Sequence, residues 1–430
     1  MAENEKLKPK RRFKKFQNAQ AWEQRKLGEL GDFKNGMNFN KDAMGHGYPF
    51  VNLQDIFGKT IIDVNCLGLA ESTDRQREEY SLKKGDVLFV RSSVKPAGVG
   101  ETALVANDFP NTTYSGFIIR FRAYLELEDQ FKRYIFTTKS IRNQIMTKAT
   151  SSANTNINQD SLGLTKIYFP LLTEQSAIGN FFCTLDNLIT IHQCKLEKVK
   201  ALKSAYLSEM FPAEGECVPK RRFTGFTDEW EQRKFEDVFV TLQNNTLSRA
   251  ELNSERGIAK NIHYGDILIK YGECLDVSKE EIPFIENEIF ILKYKASYLQ
   301  NGDVIFADAA EDETVGKCSE IVGVDNEILI SGLHTIPCRP NQSFGIGYLG
   351  YYMNSDAFHN QLLPLIQGTK VSSISKSALQ TTTILYPKSE IEQTKIGHYF
   401  FQLDNLITHH QHKLDKLQNI KKAYLNEMFV

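Results

Sequence analysis

Trp22-Glu23-Gln24-Arg25-Lys26 returns as Trp230-Glu231-Gln232-Arg233-Lys234, and this recurrence decides how the chain is organised. Working outward from it, Pro9-Lys10-Arg11-Arg12-Phe13 returns as Pro219-Lys220-Arg221-Arg222-Phe223. Leu185-Asp186-Asn187-Leu188-Ile189-Thr190 returns as Leu403-Asp404-Asn405-Leu406-Ile407-Thr408. Ala205-Tyr206-Leu207 and Glu209-Met210-Phe211 return as Ala423-Tyr424-Leu425 and Glu427-Met428-Phe429. The period of roughly 210 residues is far longer than the roughly 20 to 50 residues of a solenoid repeat, so two fused domains of common design are expected.

Between these blocks the copies diverge. Residues 27–165 and 235–383 share only scattered anchors. Leu82-Lys83-Lys84-Gly85-Asp86-Val87-Leu88-Phe89 pairs with Leu299-Gln300-Asn301-Gly302-Asp303-Val304-Ile305-Phe306, Val99-Gly100 with Val315-Gly316, and Ser115-Gly116 with Ser331-Gly332. A retained frame with unlike inserts is what two recognition modules for different ligands would require. Short apolar runs such as Val87-Leu88-Phe89-Val90, Gly116-Phe117-Ile118-Ile119 and Ile167-Tyr168-Phe169 sit between Gly, Asn, Asp and Ser clusters, which is a strand signal. Each variable block is therefore read as mixed and mostly β, with helices around 130–147 and 348–366. The fold class is α+β: two mostly-β globular domains joined by two long antiparallel coiled-coil helices, with a pseudo-two-fold internal repeat.

Each repeat closes on such a helix. Leu185, Ile189, His192, Leu196, Val199, Tyr206 and Met210 form a heptad seam, matched by Leu403, Ile407, His410, Leu414, Leu417, Tyr424 and Met428. The skipped position is Lys203 or Lys421, whose stem can lie along the seam while its charge reaches water. Ser389-x-x-Glu392 reads as a capping box and Pro212 as a stop. From about Thr173 to Phe211 the first helix would run on the order of 60 Å. Neither stripe is satisfied alone, so the two helices are expected to pack together. His192 and His410 are read as polar register-setters of that seam rather than as metal ligands. The expected segments are 1–169 (N-terminal segment and first variable domain), 170–212 (first helix), 213–386 (linker and second variable domain) and 387–430 (second helix).

The chain has 430 residues, 41% hydrophobic and 24% charged, as expected of two or three globular domains. No apolar run of 18 residues and no signal-peptide core is present, so neither membrane spanning nor secretion is expected, and a cytoplasmic location is. Cys66, Cys183, Cys194, Cys217, Cys274, Cys318 and Cys338 are scattered and form no C-x-x-C, which favours a reduced setting over a disulfide framework or zinc site. The net charge is -1, with +5 up to Cys217 and -6 beyond it, so any basic face must be local.

Motifs for catalysis fail one after another. Gly345-Ile346-Gly347-Tyr348-Leu349-Gly350 matches G-x-G-x-x-G, but no βαβ context and no acidic residue near 370 accompany it, so it reads as a turn into a helix. No phosphate-binding G-x-x-x-x-G-K-[ST] loop occurs, nor any Pro-Pro pair of the kind used in amino-methylating loops. His409, His410 and His412 lie on the seam helix, and no Ser/His/Asp or Cys/His set stands out. The chain is read as non-catalytic.

Two polar loops look like readers instead. The first copy offers Arg91, Ser92, Ser93 and Lys95, then Lys148, Thr150, Ser151, Ser152, Asn154 and Asn156. The second offers Thr369, Lys370, Ser372, Ser373, Ser375 and Lys376, with Arg249, Lys260 and Lys270 as further cations. Such side chains bridge phosphates and base edges: Arg or Lys to guanine, Asn or Gln to adenine, Ser or Thr to either. Taken singly, each is also what an ordinary surface loop contains.

Variable domain, long helix, variable domain, long helix resembles the specificity subunit of type I restriction-modification systems. The repeated Pro-Lys-Arg-Arg-Phe, Trp-Glu-Gln-Arg-Lys and Leu-Asp-Asn-Leu-Ile-Thr blocks and the Gly-Asp-Val-Leu/Ile-Phe strand carry the resemblance across essentially the whole chain. It implies a DNA-reading subunit without catalysis of its own, each variable block reading one half of a bipartite asymmetric site. It implies helices that set the spacer and dock two methyltransferase subunits, joined by restriction subunits. S-adenosylmethionine, ATP and magnesium would then belong to those partners and no cofactor to this chain. One departure is the second variable block, where 11 basic residues face 20 acidic ones, including Glu311-Asp312-Glu313. The competing reading is a coiled-coil scaffold whose two β-rich domains bind protein.

Overall fold

The Trp-Glu-Gln-Arg-Lys blocks that open each copy form the same element. In the computed structural model, which describes residues 7–151, 154–368 and 370–430, Glu23–Lys26 pairs antiparallel with Lys166–Phe169, Glu23 opposite Phe169. Glu231–Lys234 pairs with Thr383–Tyr386, Glu231 opposite Tyr386. Each two-stranded ribbon therefore brings the entry of a variable domain back to its exit, next to the start of a long helix. The chain divides into two units, Met1–His192 with His412–Val430, and Gln193–Gln411. That division cuts both long helices instead of falling at their ends.

In the first unit the variable domain is built on a four-stranded sheet in the order Gly31–Asn35, Ile118–Ala123, Val87–Val90, Thr102–Leu104. A second sheet holds Gly68–Ala70, Met44–Val51 and Thr113–Tyr114. Val87 and Phe89 face one apolar cluster with Phe121 and Phe131, while Leu88 and Val90 face another with Val51 and Ile118. That period-2 split is why a continuous apolar run suits a strand covered on both sides. In the second unit Phe239–Thr241, Thr335–Pro340, Val304–Ala307, Cys318–Val322 and Cys274–Asp276 make a five-stranded sheet, beside a three-stranded one centred on Ala259–Ile262. The Gly-Asp anchor has one meaning in both: Asp86 is buried in a bidentate pair with Arg122 (2.7 and 2.6 Å), and Asp303 in one with Arg339 (2.9 and 2.7 Å).

The helix expected over 130–147 is two, Asp129–Ile135 and Lys139–Lys148, broken where the Thr137 and Thr138 hydroxyls donate to the Tyr134 and Ile135 carbonyls. The one expected over 348–366 is Tyr348–Met353 and Asp356–His359 followed by a 3-10 turn, with the Ser355 hydroxyl donating to the Tyr352 carbonyl at the break. In both, small hydroxyl side chains compete for helix carbonyls and end the run.

The long helices are Leu172–Glu209 and Glu390–Glu427, 38 residues each, or about 57 Å at 1.5 Å per residue. In the first unit, Phe182 stacks on Phe429 (5.7 Å) and Phe181 lies against Tyr424 (5.3 Å). In the second, Phe400 stacks on Phe211 (5.8 Å) and Tyr399 lies against Tyr206 (5.4 Å). Within each unit, then, the start of one helix packs on the end of the other. Leu185, Leu196, Leu403 and Leu414 are buried, while Ile189, His192, Val199, Ile407, His410 and Leu417 are half-buried. Gly179 and Gly397 permit close packing of the variable domains, since a Cβ at either would meet Gln130 Cβ at 2.7 Å or the Ile346 carbonyl at 2.3 Å.

The repeated basic blocks are structural. Arg12 makes a buried bidentate pair with Glu174 (both 2.6 Å), and Arg222 one with Glu392 (2.6 and 2.8 Å). Arg11 and Arg221 donate backbone N–H groups to the Glu427 and Glu209 carbonyls (both 2.8 Å), satisfying helix-end acceptors that would otherwise lack partners. Two expectations are corrected. Glu392 does not close a capping box on Ser389: its carboxylate is taken by Arg222, and only the Ser389 hydroxyl caps (3.4 Å). Nor does the Lys203 charge stand free in water, and Lys421, with its side chain 25% exposed, is ion-paired as well. Lys203 is ion-paired with Glu273 and Asp404 (both 2.7 Å), and Lys421 with Asp186 (2.6 Å). Burial works against the Lys203 charge, but the two carboxylates outweigh it and hold the ammonium above its ordinary pKa. No helix among the described residues is long and apolar enough to cross a membrane.

Candidate nucleic-acid interface

Directly after the buried Val87–Val90 strand, the first unit turns a polar patch outward. Ser92–Ser93 pairs with Thr155–Asn156, which pairs with Thr150–Ser151, so the two loops singled out in the sequence form one three-stranded sheet. The Arg142 guanidinium fastens its turn by donating to the Val99 and Ala97 carbonyls (both 2.5 Å), and burial lowers that group's pKa. Ser92, Ser93 and Thr155 are buried and serve the sheet. Lys95 and Thr150 are exposed, and Arg91 is half-exposed with one N–H on the Gly116 carbonyl (3.2 Å). Lys148 is tethered to the Leu164 carbonyl (3.2 Å), and the Asn156 amide donates to the Asn154 carbonyl (2.8 Å). The sequence reading missed Val94 and Phe117, 82% and 54% exposed beside this patch, because isolated apolar loop residues carry no pattern. Ser152 and Thr369 lie outside the described residues, as does the Ser151 side chain.

The second unit repeats the placement with different chemistry. Ala309–Ala310 follows the equivalent strand and pairs with Ser372–Ser373. Ser373, Lys370 and Lys376 are exposed, while Ser372 is half-buried. Ser375 is a helix cap, its hydroxyl accepting from the Ala378 N–H (3.1 Å). Most of the cations are already engaged. Arg249 is paired with Asp266, Lys260 with Glu327 (2.8 Å), and Lys270 and Lys376 donate to the Glu281 and Leu242 carbonyls. At the sequence positions where the first loop carries Arg91, Val94 and Lys95, the second carries Asp308, Glu311 and Asp312, followed by Glu313. Asp308 is half-buried, and burial raises its pKa against the pull of His334 (Nδ1 to Oδ1, 3.1 Å).

The Gly-x-Gly-x-x-Gly turn is a helix start whose anion is internal. The buried Glu320 carboxylate accepts from the Gly347 and Gly350 N–H groups (2.8 and 2.9 Å), filling the place a phosphate would take. A Cβ at Gly350 would sit 2.1 Å from the Glu273 carbonyl oxygen. Burial pushes the Glu320 pKa up to about 7. Among the described residues no group of three or more His, Cys, Asp or Glu side chains could hold a metal ion. All seven cysteines are unpaired.

A repeated aspartate helps fasten each domain to the frame. Asp186 accepts from the Tyr134 hydroxyl (2.7 Å), and Asp404 from the Tyr351 hydroxyl (2.7 Å). Burial raises the pKa of both phenols, so they remain donors. The signal was available, since Asp186 and Asp404 stand in a six-residue identity at positions the seam does not need.

Comparison with known proteins agrees with this architecture. The profile of the family described as the type I restriction modification DNA specificity domain matches residues 20–201 and 227–419. The putative type I restriction enzyme MjaX specificity subunit of Methanocaldococcus jannaschii is 25% identical over 210 residues, 47% of this chain and 46% of that one. The type I restriction enzyme EcoKI specificity subunit of Escherichia coli is 23% identical over 191 residues, 43% and 41% of the two chains. These matches span less than half the length of either relative. The S subunit of a type I restriction-modification system from M. genitalium, a crystal structure, has the same fold, with a TM-score of 0.58 at 15% identity and 99% of each chain covered.

Proposed function

The chain belongs to the type I restriction-modification DNA specificity family, and from that premise we propose that it is the sequence-specific DNA-recognition subunit of a type I restriction-modification complex. Each variable domain reads one half of a bipartite, asymmetric site. The long helices set the spacer and offer the docking surface for two methyltransferase subunits, which restriction subunits join. S-adenosylmethionine, ATP and magnesium are carried by those partners, and this chain contributes no catalytic group.

One observation carries the reading. Two frames that repeat the ribbons, the Gly-Asp anchors and the long helices place a small sheet patch directly after the anchored strand, and the patches differ: Arg91-Ser92-Ser93 in one, Asp308-Ala309-Ala310 in the other. Proteins that position themselves by phosphate contacts and specify by base contacts need this separation of roles. Unlike patches on like frames call for unlike half-sites.

Methylation mapping of genomic DNA from cells carrying the chain with its partner subunits tests the proposal. A methylated motif of two unlike blocks separated by unspecified bases is expected. Methylation of a contiguous motif, or none, overturns it. A lack of any sequence-selective DNA shift with the partners present would favour the protein-binding scaffold.

A further inference from the structure

Arg91 and Asp308 occupy one position in two copies of the same backbone. Each is the sixth residue after the glycine of the Gly-Asp anchor. Arg91 donates its backbone N–H to the Phe117 carbonyl (2.8 Å) and accepts from the Ile157 N–H (2.9 Å). Asp308 donates to the His334 carbonyl (3.0 Å) and accepts from the Ile374 N–H (2.9 Å). In both, the next two residues pair with the polar strand of the patch. The frame is thus indifferent to the side chain here, and the side chains have opposite hydrogen-bonding character.

The Asp308 carboxylate is also prepared. One oxygen is held by the His334 imidazole, and Tyr264 lies edge-on against that ring at 5.2 Å. His334 has φ of 55°, a left-handed backbone that a non-glycine residue adopts at a cost and that clusters at functional sites. The Asp308 side chain is 27% exposed. An ionised carboxylate only accepts. In the major groove the groups that donate are the exocyclic amino groups of cytosine and adenine, whereas guanine and thymine offer oxygens at the corresponding positions.

Building on the DNA-recognition reading, we propose that Asp308 is a specificity-determining residue of the second domain, accepting from the exocyclic amino group of a cytosine or adenine. Arg91, a donor only, addresses an acceptor edge from the same place in the first domain. His334 is a positioning residue that aims the carboxylate. One carboxylate of the acidic second domain then has a use on a base edge.

The test uses the full chain with its partner subunits and a library of sites randomised in the second half, scored by methylation and sequencing. In the wild type, one position should favour cytosine or adenine, and the library tells the two apart. Asp308→Ala, which removes the acceptor, should erode that preference by roughly five- to 150-fold, the worth of a good base-edge contact. Other positions and the first half-site should keep theirs. Asp308→Glu, which keeps the acceptor, should retain the preference at a lower rate, so a folding defect in the first variant does not mask the result. Arg91→Gln should alter one position of the first half-site only. A uniform loss of rate with an unchanged base profile in both Asp308 variants, or an affected position that favours guanine or thymine, overturns the assignment alone. A wild-type complex with no half-site preference overturns the DNA-recognition reading and this assignment with it.

Discussion

Removing the charge of Glu392 should destabilise the second unit selectively. The Glu392 side chain is 1% exposed and both its oxygens are held by Arg222, whose own side chain is 11% exposed and whose Nη1 is buried with no partner. Breaking such a pair by deleting one partner costs about 3–5 kcal/mol, because the remaining charge stays buried. Glu392→Gln keeps one acceptor oxygen and recovers about 1–2 kcal/mol of that, leaving a net loss of about 2–3 kcal/mol. With a urea m-value of about 2–3 kcal/mol/M for a unit of this size, the midpoint falls by about 1 M. The chain has two tryptophans, Trp22 in the first unit and Trp230 in the second, both buried, so fluorescence of Trp22→Phe and Trp230→Phe backgrounds reads the units apart. The Trp230 midpoint should move and the Trp22 midpoint should move much less. Glu174→Gln should do the reverse, because Glu174 holds Arg12 in the same way. Arg222→Met with Glu392→Leu should recover most of the loss, since an apolar pair avoids the stranded charge. If the double variant is no better than the single one, or if both tryptophans report equal shifts, the account of these pairs is wrong.

Three further outcomes are expected. Glu320 has a folded pKa of about 7 against an ordinary value of 4.5, so the folded form binds its proton more tightly; this stabilisation is complete below pH 4.5 and is lost as pH rises through 7, costing about 3 kcal/mol by pH 8. The Trp230-reported urea midpoint should show that slope, and Glu320→Gln should flatten it. A chain ending near Cys217 keeps Lys203, Tyr206, Glu209 and Phe211, the repeats of Lys421, Tyr424, Glu427 and Phe429 that it loses; it should form a homodimer by light scattering and direct methylation to a symmetric site, and a folded monomer would refute the seam argument. The isolated full-length chain should bind DNA with a shallow dependence of log K on log salt, because Arg249 and Lys260 are already neutralised by carboxylates and release few counterions.

The frame was legible in the sequence because its residues act in the same way twice. The Trp-Glu-Gln-Arg-Lys ribbons, the seam leucines and the Gly-Asp anchors each solve a local problem that the chain meets in both copies. What could not be read was partner choice. Lys203 and Lys421 looked like solvent-seeking stems, since seam spacing says nothing of a carboxylate arriving from elsewhere, as Glu273 does. Glu392 looked like a cap because a capping box is a local pattern, whereas its partner lies 170 residues away. In the candidate interface, residue types suggested the loops but not their engagement: Arg249, Lys260, Lys270 and Lys376 turned out to be tethered. Nothing in the sequence marks Asp308, because an aspartate after a strand is ordinary. It gains meaning only once the backbone puts it where Arg91 stands.

That placement also explains how such a chain can change what it recognises without losing its fold. The links that fasten a variable domain to the helices end on repeated residues: Tyr134 on Asp186, Tyr351 on Asp404. The arginine pairs also repeat, Arg12 on Glu174 and Arg222 on Glu392, the carboxylates standing in matching Glu174-Gln175 and Glu392-Gln393 pairs. Position 91 or 308 is held in the frame by two backbone hydrogen bonds that any residue but proline can make, beside one side-chain contact, Arg91 to the Gly116 carbonyl or Asp308 to His334. A substitution there leaves both backbone bonds intact, and its energetic effect falls on that one side-chain contact and on whatever the side chain meets outside. Energetic independence of this kind is the physical condition for two domains on one scaffold to drift to opposite polarity, arginine in one and aspartate in the other. It also fixes where further divergence would be tolerated: at side chains held by backbone bonds, and not at Asp86, Asp303, Asp186 or Asp404, whose side chains are the joints.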